Sequence, residues 1–129
     1  MDTKPTVDCI KIMFLCLHGC CICCISLRNS PFVVGEVCYF LNTRATPAAE
    51  ASFLRSVVAG TFRLVEPASA DLERTAALIE QYADLPLGAA DASVIAVGER
   101  FGIKTVLTLD QRHFRIVRPR HVGSFQLLP

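Results

Sequence analysis

Two aspartates, Asp91 and Asp110, are the strongest candidates in this sequence for ligand binding or catalysis, because each lies where a ligand site is expected. Asp91 follows a loop over 85–88 and lies in the first turn of an apolar helix, where the positive end of the helix dipole stabilises a carboxylate. Asp110 follows a short apolar strand predicted over 105–109. Open α/β sheets hold their ligands in the crevice at the carboxyl ends of such strands. Both carboxylates are therefore expected to face one site.

A third carboxylate, Glu36, lies in a helix predicted over 32–42, which begins after a Ser-Pro pair typical of helix N-termini. Glu36 stands four residues after Phe32 and four before Phe40, so it shares their apolar face. A glutamate on such a face is usually paired or bound to a cation. A surface glutamate whose carboxylate reaches out to water is the alternative interpretation.

If Glu36, Asp91 and Asp110 converge, their charges require a cation between them. At an effective dielectric constant of 20, two carboxylates 4 Å apart repel by about 4 kcal/mol, and three such pairs rival the roughly 5–15 kcal/mol stability of a domain. Oxygen donors without histidine favour Mg²⁺ or Mn²⁺ over zinc. A Mg²⁺ held by carboxylates with open water positions commonly serves phosphodiester hydrolysis, so the pattern indicates that chemistry.

The C-terminal segment adds a basic strip to the acidic site. Its positive or titratable residues are Arg112, His113, Arg115, Arg118, Arg120 and His121. Such a strip beside carboxylates is expected where a polyanion must be held while its backbone is cut. A solvated surface edge without a ligand is the alternative.

The elements that must position these residues alternate between helices and short strands. After the first helix, the sequence predicts a helix over 48–58, a strand over 62–65, a helix from 70 to about 82 capped by Ser69, a helix from Asp91 to Phe101, and a last strand over 125–127. In the third of these helices, helical spacing predicts core positions at Leu72, Ala76, Ile79 and Tyr82. The alternation predicts an α/β fold, a three-layer α/β/α sandwich with a parallel central sheet.

The chain of 129 residues is long enough for one domain with its own core. Its net charge of +1 excludes bulk charge as a source of nucleic-acid affinity, which must come from local clusters. We expect two parts, a divergent Cys-rich segment over 1–29 and a folded domain over 30–129. Outside that first segment there is only Cys38, which is typical of a reduced, cytoplasmic protein.

The Cys-rich segment contains two overlapping C-x-x-C spacings, Cys20/Cys23 and Cys21/Cys24, close to His18. Thiolates at this spacing can hold zinc or copper(I), but a structural zinc site needs a second ligand pair further along. A buried apolar strand and a leader foreign to the original domain are the alternatives, and we favour the leader. The apolar run over 12–27 matches neither a secretory signal nor a membrane span, so we expect no membrane association.

Three motifs in order resemble PIN-domain ribonucleases of the VapC toxin type, and the resemblance covers residues 30–129. The motifs are SPFVVGEVCYFL around Glu36, YADLPLGAADAS around Asp91, and TLDQRHF around Asp110. The resemblance implies that these three carboxylates are metal ligands and catalytic residues, that Thr108 orients a water or a ligand, and that Arg112 lies close to the bound phosphate. We expect His113 and Arg115 to contact RNA as well.

The resemblance further implies a parallel α/β sandwich that pairs as a homodimer and is neutralised by a VapB-type antitoxin. Its substrate would be structured RNA of the transfer or ribosomal class, and Mg²⁺ or Mn²⁺ would be the cofactor. The sequence departs from the family at its N-terminus, where a central strand normally ends in the first catalytic aspartate. Asp8 is the best remaining candidate for that metal ligand. The alternative function is a catalytically impaired PIN remnant that still binds antitoxin or dimerises.

Overall fold

In a computed structural model of the protein, residues 7–11, 25–61 and 63–129 are described, with side chains from residue 28 onward. The described strands form one sheet, and every pairing between them is parallel. The strand order is β3-β2-β1-β4-β5. The strands are β1 (Val7–Lys11), β2 (Ile25–Asn29), β3 (Arg63–Leu64), β4 (Thr105–Leu107) and β5 (Gln126–Leu128).

Helices alternate with these strands along the chain. They are α1 (Pro31–Arg44), α2 (Pro47–Val58), α3 (Ser69–Gln81), α4 (Ala89–Phe101) and α5 (Arg112–Ile116). Helix α4 packs on both α1 and α3, and its residues 92–98 are all buried. The α/β fold with a parallel central sheet is therefore confirmed, and α4 lies at the centre of the packing.

Local signals explain where most of the helices begin and end. Ser30 caps α1 by accepting the N–H of Phe32 on its side-chain oxygen at 3.2 Å, and Thr46 caps α2 in the same way with the N–H of Ala49 at 3.2 Å. Helix α4 ends at Gly102, whose φ of 65° lies in the left-handed region that favours glycine. These bounds follow the sequence prediction to within two residues.

Helix α3 departs from the prediction in its cap and in its buried face. Ser69 is its first helical residue, and the N-cap residue is Ala68, whose N–H is bonded by the Asp71 carboxylate at 2.8 Å. The predicted core positions Leu72 and Ile79 are 46% and 37% exposed, and Ala76 is also exposed. The buried face instead carries Asp71, Thr75 and Leu78. The prediction was right for Tyr82, which packs partly buried against the core. It was wrong for the other three residues, because helical spacing does not say which face meets the neighbouring helix.

The strand order places a switch point between β1 and β4. From β1 the chain adds β2 and β3 on one side, and later β4 and β5 on the other. In open α/β sheets the ligand crevice opens at such a point, beyond the carboxyl ends of the strands. The loop after β4 carries Asp110 to this edge.

Part of the predicted Cys-rich segment contributes to the sheet, since β1 and β2 both lie within residues 1–29. The cysteines of the C-x-x-C pairs and His18 lie outside the described residues, so the boundary at residue 30 and the cysteine interpretations stay predictions. The longest described helix, α1, has 14 residues, whereas a membrane-spanning helix needs about 20 apolar residues. Within the described ranges no helix could span a bilayer.

Candidate metal-binding active site

Glu36 and Asp91 lie on two helices that pack against each other. Glu36 lies in the middle of α1, and Asp91 lies in the first turn of α4, which packs against α1. Although Glu36 is an exposed residue, partial loss of water around its carboxyl group raises its pKa, and the negative charge of Asp91 raises it further. The negative charge of Asp91 therefore makes ionisation of Glu36 less favourable.

Asp91 has a hydrogen-bond partner in the C-terminal segment, the imidazole of His113. The distance from His113 Nδ1 to Asp91 Oδ2 is 2.6 Å, and the two side chains are only 19% and 23% exposed. An ionised carboxylate can only accept, so Nδ1 carries the proton and donates it. His113 therefore contacts one of the predicted metal ligands.

Asp110 is held by the arginine two residues after it. The guanidinium of Arg112 donates from Nε to Asp110 Oδ1 at 2.9 Å and from Nη2 to Oδ2 at 2.6 Å. This two-pronged ion pair lowers the pKa of Asp110 to about 2, with a smaller contribution from the charge of His113. The Arg112 side chain is 80% exposed, so the pair lies at the surface and a ligand can reach it.

Buried hydroxyl groups support the loops and helices that carry these carboxylates. The Thr108 hydroxyl donates to the backbone oxygen of Asp110 at 3.0 Å, which shapes the turn after β4. The buried Ser93 hydroxyl donates to Ser30 Oγ at 2.8 Å and joins the start of α1 to α4. The contact of Thr108 is with the backbone, and its predicted role toward a water or ligand stays a prediction.

Asp8 lies away from the carboxyl end of β1. It is the second residue of this strand, pairs in register with Ser26, and comes three residues before Lys11. At about 3.3 Å per residue, its backbone lies roughly 10 Å before the end of the strand. The structure does not describe the Asp8 side chain, and its role as a metal ligand stays a prediction.

The predicted RNA-contacting residues have partners within the protein. Arg112 binds Asp110, His113 binds Asp91, and Arg115 donates to the side-chain oxygen of Gln111 at 2.8 Å. Arg112 and Arg115 are exposed. Their charges therefore remain available to a polyanion at the edge where the carboxylates lie.

Comparison with known proteins identifies the family of this chain. The family model described as PIN domain matches residues 25–119. The chain belongs to the PIN-domain family. It is also 37% identical over 104 residues to the protein named Ribonuclease VapC26 of Mycobacterium tuberculosis, an alignment that covers 81% of this chain and 77% of that protein. The resemblance of this PIN domain to VapC-type proteins is thereby confirmed.

The carboxylate oxygens of the candidate site in this PIN domain are of the kind that hard divalent cations prefer. Glu36, Asp91 and Asp110 offer only oxygen atoms, which Mg²⁺ and Mn²⁺ prefer, and the negative charge of Asp91 adds to the effect of burial in raising the pKa of Glu36. Among the described residues, no three histidine, cysteine, aspartate or glutamate side chains are gathered tightly enough to hold a metal ion. Glu36 and Asp91 form the core of the candidate site, and Asp110 is bound to Arg112 in the segment between β4 and α5.

The contacts of His113 and Arg112 were not foreseen from the sequence, which assigned both residues to RNA. His113 and Asp91 are 22 residues apart in the chain, and no local signal pairs them. For Arg112 a signal was present, because an arginine two residues after an aspartate in a tight turn can reach back to its carboxylate. The hydroxyl link between Ser30 and Ser93 was equally unforeseen.

Proposed function

We propose that this PIN domain is a metal-dependent endoribonuclease, the toxin of a toxin-antitoxin pair, that cuts structured RNA of the transfer or ribosomal class. The observation that supports it most is the packing of α1 on α4, which brings Glu36 within electrostatic reach of Asp91. The relative that is 37% identical to this chain is named as a ribonuclease, which favours RNA as the substrate.

Glu36, Asp91 and Asp110 would hold the cation, Mg²⁺ or Mn²⁺. When bound, such an ion supplies a water of lowered pKa and stabilises negative charge on the phosphate. The exposed guanidinium of Arg112 would bind the phosphate of the RNA backbone, for which a planar two-pronged donor is well suited. Thr108 would fix the turn that presents Asp110, and Arg115 would add positive charge along the path of the RNA.

The proposal extends to partners and location. A chain of the VapC type would be neutralised by a VapB-type antitoxin, would pair as a homodimer, and would act in the cytoplasm. The net charge of +1 supports binding of RNA through the local basic strip rather than through overall charge.

A cleavage assay with purified full-length protein tests this function. Folded transfer and ribosomal RNA fragments are incubated with the protein and Mg²⁺ or Mn²⁺, with EDTA as a second condition. We expect cleavage that EDTA abolishes and that Asp91→Asn and Asp110→Asn each reduce by at least about 100-fold, since even a 1 Å displacement in a catalytic site can cost that much.

The matched control is Glu73→Gln. Glu73 is an exposed carboxylate near the start of α3. At this end of α3, Asp71 and Arg74 contact residues 99–100, which lie at the C-terminal end of α4, whereas Asp91 lies in its first turn. This variant should cut as wild type does. Equal cleavage by wild type, Asp91→Asn and Asp110→Asn would contradict the assignment, and circular dichroism verifies that all variants are folded.

The second candidate function is a PIN remnant that binds antitoxin or dimerises without turnover. The position of Asp8 favours it, because the second residue of β1 is far from the carboxyl end where a first ligand is expected. Binding of an antitoxin peptide without RNA cleavage at millimolar Mg²⁺ or Mn²⁺ would support the remnant. Cleavage by a preparation free of other nucleases would exclude it.

A further inference from the structure

His113 is turned toward an acidic residue rather than toward the open surface. Its Nδ1–H donates to Asp91 Oδ2 at 2.6 Å, and its side chain is 19% exposed. The imidazole therefore links α5 to the carboxylate in the first turn of α4.

The backbone that carries His113 is firmly anchored. The next residue in α5, Phe114, is 1% exposed and packs edge-to-face on Phe125 with ring centroids 6.3 Å apart. Val117, which follows α5, is fully buried. A side chain on such a rigid backbone segment can orient the carboxylate it contacts, with little loss of conformational entropy when a ligand binds.

We infer that His113 is a positioning residue, whose Nδ1–H holds the Asp91 carboxylate in the orientation in which it binds a divalent cation together with Glu36. This inference rests on the proposed function and adds to it. A hydrogen bond to one oxygen of a carboxylate fixes the direction of the other oxygen, so the first ligand is ordered before the cation arrives. The role differs from the RNA contact expected from the sequence.

Substitutions that keep or remove the donor separate these roles. Asparagine at 113 places an N–H group near the position of Nδ1, whereas glutamine places its amide near Nε2 and leucine has no donor. Loss of an outer-shell partner typically weakens metal binding by about 10–100-fold. We expect His113→Gln and His113→Leu to weaken Mn²⁺ binding by that factor, and His113→Asn to stay close to wild type.

Mn²⁺ binding to the full-length protein is measured by calorimetry without RNA, and RNA binding is measured separately in EDTA. His121→Gln is the matched control, because His121 Nε2 bonds the backbone oxygen of Ile103 at 2.6 Å, and glutamine places its amide near that position. The control should leave Mn²⁺ binding unchanged. If His113→Leu does not fold, the comparison of His113→Asn with His113→Gln carries the test.

Several outcomes would overturn the inference. Unchanged Mn²⁺ affinity in His113→Gln, equal losses in His113→Asn and His113→Gln, or a loss of RNA affinity alone would each refute it. In these cases cleavage by wild type would leave the proposed function standing. Absence of both Mn²⁺ binding and cleavage in wild type would overturn the inference together with the proposed function.

Discussion

The ion pair between Arg74 on α3 and Glu99 on α4 offers a sharp test of how these two helices are joined. Arg74 Nε and Nη2 donate to Glu99 Oε2 and Oε1 at 2.7 and 2.9 Å, and the N–H of Arg120 donates to Oε1 at 2.9 Å. The side chains are 13% and 10% exposed. Arg74→Met retains most of the hydrophobic stem and removes the charge, which leaves Glu99 largely buried without its cation.

Removal of one partner from a buried ion pair typically costs about 3–5 kcal/mol. Because Arg74 and Glu99 keep slight contact with water and Arg120 still donates to Glu99, we expect the lower end, about 3 kcal/mol. This is a large share of the roughly 5–15 kcal/mol stability of a domain. The double variant Arg74→Met/Glu99→Gln should recover part of the loss, since it no longer buries an unpaired charge.

The assay is urea unfolding followed by circular dichroism, with Arg55→Met as the matched control. Arg55 is an exposed residue of α2, and such surface substitutions usually change stability by less than about 0.5 kcal/mol. Equal unfolding free energies in Arg74→Met and Arg55→Met would refute the reasoning. A double variant less stable than Arg74→Met would refute the charge argument in particular.

The pH dependence of this effect has a defined sign. Burial raises the pKa of Glu99, but the hydrogen bonds from Arg74 and Arg120 outweigh it and hold the pKa below its usual value of 4.5. A carboxyl group with a lowered folded pKa stabilises the protein above its unfolded pKa, and this contribution is lost as the pH falls through the folded value. The difference between wild type and Arg74→Met should therefore be full at pH 7 and shrink below about pH 4.5.

Two further predictions concern α1 and β1. Ser30→Ala should lower the unfolding free energy by about 1–2 kcal/mol, which is more than the effect of Thr46→Ala. The reason is that Ser30 both caps α1 and accepts a hydrogen bond from Ser93, whereas the cap of α2 is exposed. Equal losses in urea unfolding would contradict a stabilising role of the Ser30–Ser93 hydrogen bond. Asp8→Ala should reduce Mn²⁺ affinity and RNA cleavage far less than Asp91→Ala does, because Asp8 precedes the carboxyl end of its strand. Equal losses of Mn²⁺ affinity and of cleavage in the two variants would show that Asp8 is a ligand.

Features of the fold that depend on near neighbours could be predicted from the sequence. The Ser-Pro and Thr-Pro pairs fix the starts of α1 and α2, because capping is a contact within one turn of helix. Gly102 ends α4 because its own backbone takes a left-handed conformation. The predicted strand over 105–109 was too long at its end, since the Thr108 hydroxyl bonds the backbone oxygen of Asp110 and turns the chain there.

Choices between faces and between distant partners needed the tertiary structure. In α3, the spacing of Asp71, Thr75 and Leu78 is as helical as that of Leu72, Ala76 and Ile79, so periodicity allows either face. Packing against α4 decided the matter, because Asp71 meets Arg100 across the helix interface, with 3.2 Å between a carboxylate oxygen and Arg100 Nε.

The sequence by itself determined which residues of this protein are candidates for chemistry, because Glu36, Asp91 and Asp110 each stand in a local setting in which a carboxylate is expected to be stabilised or paired. The tertiary structure decided how they are connected. Asp91 and His113 are 22 residues apart and Ser30 and Ser93 are 63 apart. They meet because α4 packs on α1, which follows β2, and because α5, which follows β4, returns to the start of α4. Such contacts depend on sheet order, which no spacing within one element specifies.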